Sequence, residues 1–172
     1  LNPAVTQLPI GSEENFKGLV DLISGKAYLF DSGGNGTMTE TEIPADMADD
    51  VEMYREGLME SVAETDDELI EKFLEEGELT EEDLKAGLKK GVIAGDVSPV
   101  CVCSATQNFG TSAILDVIND YLPAPPDIES KIGVTVDGDD EIELPPRPDA
   151  PFSAFVFKTM ADPYAGRLTI FR

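Results

Sequence analysis

Pro99-Val100-Cys101-Val102-Cys103-Ser104-Ala105-Thr106, followed by Asn108, Gly110 and the run from Ile114 to Pro125, decides the fold of this chain. The apolar residues predict a short buried strand, the Ser104-Ala105 step a sharp turn, and the run after it an amphipathic helix with a proline stop. Strand, turn and helix in that order offer backbone N–H groups to a ligand beyond the carboxyl end of a strand in an open α/β sheet. This is one β–α unit of a larger parallel sheet. Alone, it cannot build a doubly wound domain.

Immediately upstream the apolar period lies between three and four. Met47, Val51, Tyr54, Leu58 and Val62 make one stripe of a long helix after Pro44. Thr65 with Glu68 reads as a capping box opening a second helix, closed at Gly77. Thr80 opens a third, with Leu84 and Leu88 inward and Gly91 as its stop. Further upstream, Ala4 to Phe30 reads as strands with small turns. The segment Asp31 to Gly36 is dense in residues that tolerate positive φ, which predicts a hairpin turn between Lys26–Phe30 and Thr37–Ile43. Downstream, Pro123 to Pro151 is rich in Pro and Asp, with Val134–Val136 and Glu141–Leu144 as weak strand candidates, and reads as a linker or irregular crossover. Phe152–Lys158 and Arg167–Arg172, around Asp162-Pro163-Tyr164-Ala165-Gly166, predict a two-stranded hairpin. The fold class expected is α+β: an antiparallel hairpin-rich sheet with three helices, one terminal β–α unit and a final hairpin.

Composition narrows the function. With 172 residues, 41% hydrophobic and 7% aromatic, the chain can bury a core. Its 35 acidic against 12 basic residues give a formal charge of −23, which disfavours direct docking on nucleic-acid phosphates and fits better a basic protein partner, or a halophilic or simply very soluble surface. There is no histidine, so a Ser-His or Cys-His nucleophile is excluded within this chain. Cys101 and Cys103, two apart on the apolar strand, read as buried reduced thiols of a cytoplasmic protein. No run approaches membrane-spanning length.

The motifs divide into weak and informative ones. Asp31 to Glu42 matches much of a calcium-loop spacing, but Gly33 offers no ligand at the third position and the flanks are strand-like, so no metal site is expected. A nucleotide-hydrolysing engine needs a Gly-x-x-x-x-Gly-Lys-Ser/Thr loop, and Gly25-Lys26-Ala27 lacks both the upstream glycine and the hydroxyl. No catalytic residue is therefore assigned. On the first helix, Asp49, Glu56 and Glu60 fall opposite the apolar stripe, with Glu52 to one side. That row is a solvated face or a docking strip on which charge steers a basic partner.

Four groups of residues, in order, resemble the elongation factor G family of translational GTPases. Gln7-Leu8-Pro9-Ile10-Gly11 with Phe16-Lys17-Gly18-Leu19-Val20-Asp21-Leu22 looks like the entry to that family's insertion subdomain. Ile43-Pro44-Ala45-Asp46-Met47, Glu60-Ser61-Val62-Ala63-Glu64 and Leu79-Thr80-Glu81-Glu82 are similar to its helices. Ser104-Ala105, Asn108, Gly110 and Tyr121-Leu122-Pro123-Ala124-Pro125 resemble the end of the GTPase domain. Phe152-Ser153-Ala154-Phe155-Val156-Phe157-Lys158 and Asp162-Pro163-Tyr164 through Phe171-Arg172 resemble the first hairpin of the second domain. Cys103 departs from the usual glycine before Ser-Ala, and Gln107 and Phe109 replace lysines common around Asn108.

The resemblance implies that residues 1–96 are the insertion subdomain with its entry strand and 97–125 the last strand and helix of a Rossmann-like P-loop GTPase domain. Residues 126–150 would be a linker, and 151–172 the truncated start of a β-barrel. It implies a parent, or close paralogue, that hydrolyses GTP with magnesium on the ribosome and promotes translocation of tRNA and mRNA. Neither GTP nor magnesium is expected on this piece. Ser104, Ala105 and Thr106 would contact guanine, a backbone N–H reaching the base oxygen. Asp49, Glu52, Glu56 and Glu60 would meet the basic C-terminal domain of the ribosomal stalk protein, and the rest of the parent ribosomal RNA. The alternative is an acidic protein-binding or calcium-responsive adaptor unrelated to nucleotides.

Overall fold

A computed structural model describes residues 2–31, 33–138 and 140–172, so Ser32 of the predicted hairpin turn and Asp139 of the acidic loop lie outside the described residues. The chain divides into two units, Leu1–Pro123 and Ala124–Arg172. The boundary expected at residues 96 and 97 falls inside the first unit.

The first unit begins with β1 (Pro3–Val5) and β2 (Gln7–Ile10). β2, β3 (Gly18–Asp21), β4 (Lys26–Phe30) and β5 (Met38–Thr41) form a four-stranded antiparallel sheet in chain order. Three helices follow: α1 (Ala48–Ala63), α2 (Asp67–Glu76) and α3 (Glu81–Ala94). The chain then returns as β6 (Ser98–Val100), parallel to β1 with Ala4 opposite Pro99, and continues into α4 (Thr111–Tyr121). The architecture is α+β. Leu8, Val20 and Ala27 from the sheet, Leu22 from the β3–β4 turn, Val51, Leu58 and Val62 from α1, and Leu84 and Leu88 from α3 share one core. Each fully buried aliphatic side chain contributes about 1.5–3 kcal/mol relative to exposure.

Five expectations change. Tyr54 stays 41% exposed, and Arg55 is half-buried beside the stripe, its Nη1 donating to the carbonyls of Leu22 and of Ile23, the latter at 3.2 Å. The β3–β4 turn presents two carbonyls to α1, and the Arg55 guanidinium donates to both. The second helix is capped by Asp66, whose Oδ1 accepts the Glu68 N–H at 2.9 Å. Thr65 instead turns inward and donates to Val62 O at 2.7 Å and Gly87 O at 3.2 Å. The third helix, opened as expected by a Thr80–Asp83 capping box, runs through Gly91 to Ala94 and is capped by Gly95.

Gly91 is a packing position, not a stop. A Cβ there would lie 2.6 Å from Thr65 Cγ2 and 2.7 Å from Val97 Cγ2.

The strand expected through Cys103 ends at Val100. β1 pairs with it only as far as Thr6, which donates its N–H and Oγ1 to Val100 O at 3.0 and 2.9 Å, and then turns away into β2. Cys101 is half-buried with Sγ 3.5 Å from Thr6 Oγ1, whereas Cys103 is exposed, so the pair is not buried together.

The fifth change is in the second unit. The segment expected as a linker or irregular crossover holds a hairpin, β7 (Lys131–Val134) and β8 (Glu141–Leu144), with Val134 opposite Glu141: the second strand is the candidate at 141–144, and the first ends where the candidate at 134–136 was expected to begin. β9 (Val156–Asp162) and β10 (Gly166–Phe171) form the expected terminal hairpin. Asp162 Oδ1 closes its turn by accepting the Tyr164 and Ala165 N–H groups at 2.8 and 2.7 Å. Among the described residues, no helix is long and apolar enough to cross a membrane.

Candidate functional site

The loop from Ser104 to Phe109 begins where β6 has lost its partner strand. Ser104 and Phe109 exchange both backbone hydrogen bonds, at 2.9 and 3.0 Å, and Asn108 N–H returns to Ala105 O at 3.3 Å. Ala105 and Thr106 are left exposed at the tip. Their N–H groups have no protein acceptor among the described residues. Exposed amides without a protein acceptor are free to donate to a carbonyl or other oxygen acceptor. Ser104 Oγ lies 3.4 Å from Thr106 Oγ1.

Gly110 closes the loop and caps α4. Its φ is +73°, and a Cβ would fall 2.8 Å from Val102 O, so the turn into the helix requires glycine.

Long-range contacts that sequence reasoning missed hold this loop and the start of α4 against the four-stranded sheet and its β4–β5 turn. Phe109 stacks on Phe30 of β4 at 5.0 Å, and Phe16 meets Phe30 edge-on at 5.1 Å. Asn108 Nδ2 donates to Gly34 O at 3.0 Å, and Ser112 Oγ donates to Gly36 O at 3.2 Å. The turn between β4 and β5 is thus fastened to the loop and to the first turn of α4. In the chain Phe30 and Phe109 are far apart, and only the unusual Phe109 hinted at such a contact.

On α1, Asp49, Glu52, Glu56 and Glu60 are all exposed, as the helical period predicts. None takes part in an ion pair among the described residues. From Asp49 to Glu60 the row covers about 16 Å at the usual rise per residue. Met53, 56% exposed, lies on the same outward face and gives the acidic row one apolar contact point. This row and the Ser104–Thr106 loop are on different elements and do not form a single site.

Charged groups elsewhere serve the helix termini. Asp83 accepts from Lys72 Nζ at 2.6 Å and from Thr80 N and Oγ1 at 2.9 and 2.5 Å, and these bonds hold its carboxyl down at about 2. Lys90 paired with Asp66 lowers that carboxyl as well. Burial raises the Cys101 thiol and pushes the Tyr121 hydroxyl up to about 12. Among the described residues, no three His, Cys, Asp or Glu side chains are placed to hold a metal ion. In the Asp31 turn the carboxylate is engaged internally, Oδ1 by Gly33 N–H at 3.1 Å and Oδ2 by Thr37 Oγ1 at 3.3 Å.

No family model matches the chain. It is similar to a solved protein of Thermus thermophilus, ttk003000868, with 28% identity and a TM-score of 0.69. The match covers 99% of this chain and 23% of that one, so the chain spans about a quarter of the length of the protein it resembles.

Proposed function

We propose that this chain is part of an elongation-factor-G-type translational GTPase. In this reading its Ser104–Thr106 loop touches guanine, and its α1 face docks the basic C-terminal domain of the ribosomal stalk protein. GTP and magnesium would be held by other parts of the protein, and ribosomal RNA would be met by them too. A translational role carries a cytoplasmic location with it. The observation that carries the reading is the pair of unpaired, exposed amides at Ala105 and Thr106, raised at the carboxyl end of β6 and held there by a closed loop. Such donors suit the carbonyl oxygen of a base. The exposed carboxylate row on α1 supports the second part, because charge of one sign steers a partner of the other.

The test is a titration of this chain with the stalk protein's C-terminal domain at low salt, followed by NMR or fluorescence anisotropy. Weak binding is expected, lost at high salt and in the Asp49→Lys/Glu56→Lys variant. No binding at low salt, or binding indifferent to the double charge reversal, would remove the docking role. GTP turnover by the chain alone should be negligible.

A further inference from the structure

A second surface lies apart from both of those. One side of the four-stranded sheet, the Gly11–Lys17 turn, the entry to α1 and the Gln107–Phe109 stretch border an open groove of about 970 Å³. This is at the upper end of the range for ligand pockets. Its lining includes the apolar side chains of Ile10, Phe16, Met47 and Phe109, and Phe109 is held by its stack on Phe30. Glu14, Glu42, Asp46 and Asp50 stand around it against one cation, Lys17, a formal balance of 4 − 1 = 3 negative charges. None of these five joins an ion pair among the described residues.

Two residues with positive φ stand next to lining residues. Among the described residues, Glu13 (φ 51°) and Asn108 (φ 57°) are the two non-glycine positions in the left-handed region. One precedes Glu14 and the other sits between Gln107 and Phe109. Side chains resist this conformation, and strain of this kind gathers at ligand clamps. Gly11 sets the turn, because a Cβ there would fall 2.0 Å from Asn15 O.

We propose that this groove receives a segment of a partner protein in which an apolar side chain is flanked by lysine or arginine. The apolar residue would rest on Phe16, Met47 and Phe109, and the flanking cations would meet the four carboxylates. Charge complementarity selects this occupant: an acidic segment would be repelled, and a purely apolar one would leave the rim unanswered. The proposal is independent of the translational reading. Asp50 lies about 120° around α1 from Glu56, so the two surfaces can be altered separately.

The experiment is an NMR titration of the full chain with acetyl-Arg-Phe-Arg-amide, with the Arg-Ala-Arg and Glu-Phe-Glu peptides beside it. The expected result is shifts concentrated at the amides of residues 11–17 and 107–109, with the Arg-Phe-Arg peptide binding most tightly. The Glu42→Gln/Asp46→Asn/Asp50→Asn variant should weaken binding about threefold or more, and Glu56→Lys, about 120° away around α1, should weaken it less. If the triple variant loses its native spectrum, Glu42→Gln alone decides, by the same direction of change. The proposal is overturned if no shifts arise up to about 10 mM peptide, a concentration that reaches even very weak binding. It also fails if the three peptides bind alike, if neutralising the rim changes nothing, or if the shifts map to the outer face of α1.

Discussion

Replacing Gly87 by alanine puts two opposing effects in one methyl group. Gly87 lies inside α3, and alanine there improves helix propensity by about 1 kcal/mol. The new Cβ would sit 2.5 Å from Val62 Cγ1 and 2.6 Å from Leu69 Cδ1, roughly an ångström inside carbon–carbon contact. Val62 is fully buried on α1 and, being β-branched, has little rotameric freedom in a helix. Leu69 is only partly buried and can yield. Overpacking of this kind costs about 1–3 kcal/mol. Between two rigidly packed helices the overlap outweighs the propensity gain, and Gly87→Ala should destabilise by up to about 2 kcal/mol net. Gly57, in the middle of α1, is the internal control. Nothing lies within 4 Å of its added Cβ, so Gly57→Ala should stabilise by about 0.5–1 kcal/mol. Urea unfolding followed by far-UV circular dichroism reads both, from the shift in midpoint at constant slope. If Gly87→Ala unfolds at the wild-type midpoint or above it, alongside Gly57→Ala, the close packing of α3 on α1 is refuted.

Other outcomes follow from single contacts. Arg55→Ala removes the donor to the Leu22 and Ile23 carbonyls and should cost about 1–3 kcal/mol in the same assay; a neutral result would mean that those carbonyls find water instead. Asp83, held at about 2 in the folded chain against an ordinary 3.8, contributes stability that is fully present above pH 4 and is lost as pH falls toward 2. Unfolding midpoints measured across pH 2–6 should therefore fall less steeply in acid for Asp83→Asn than for the wild type. With a thiol reagent at pH 8, exposed Cys103 should react at least about tenfold faster than Cys101, whose thiol is raised by burial; equal rates would contradict that difference.

The elements that could be read from the chain are those with local causes. The stripe of Val51, Leu58 and Val62 marked α1 because one side of that helix packs on one core. Thr80 and Gly77 marked helix ends because capping is settled within a few residues. Misreadings arose where a distant group decided. Arg55 turns inward to meet carbonyls 33 and 32 positions away, and Thr65 is drawn from the capping role to the Gly87 carbonyl, 22 positions away. Gly91 could have ended a helix or admitted a neighbour, and only the position of Val97 and Thr65 distinguishes the two.

At the candidate site the Ser104-Ala105 turn was legible, because glycine and a change of period frame it. Its fastening to the β4–β5 turn was not, since Asn108 and Gly34 are 74 positions apart. The groove over the sheet was equally hidden, because its walls come from four separate segments.

The parallel pairing of β1 with β6 sets an order of events during synthesis. Thr6 and Cys101, the residues just beyond that pairing, are 95 positions apart, so the first strand emerges long before its partner exists. At ordinary elongation rates of about 5–20 residues per second, it waits roughly 5–20 s. Meanwhile the hairpins, the three helices and the contact of β1 with α1, whose partners are nearer in sequence, can form. The pairing of β1 with β6 therefore waits until most of this unit has been made, and until then the edge of β1 that faces β6 stands open.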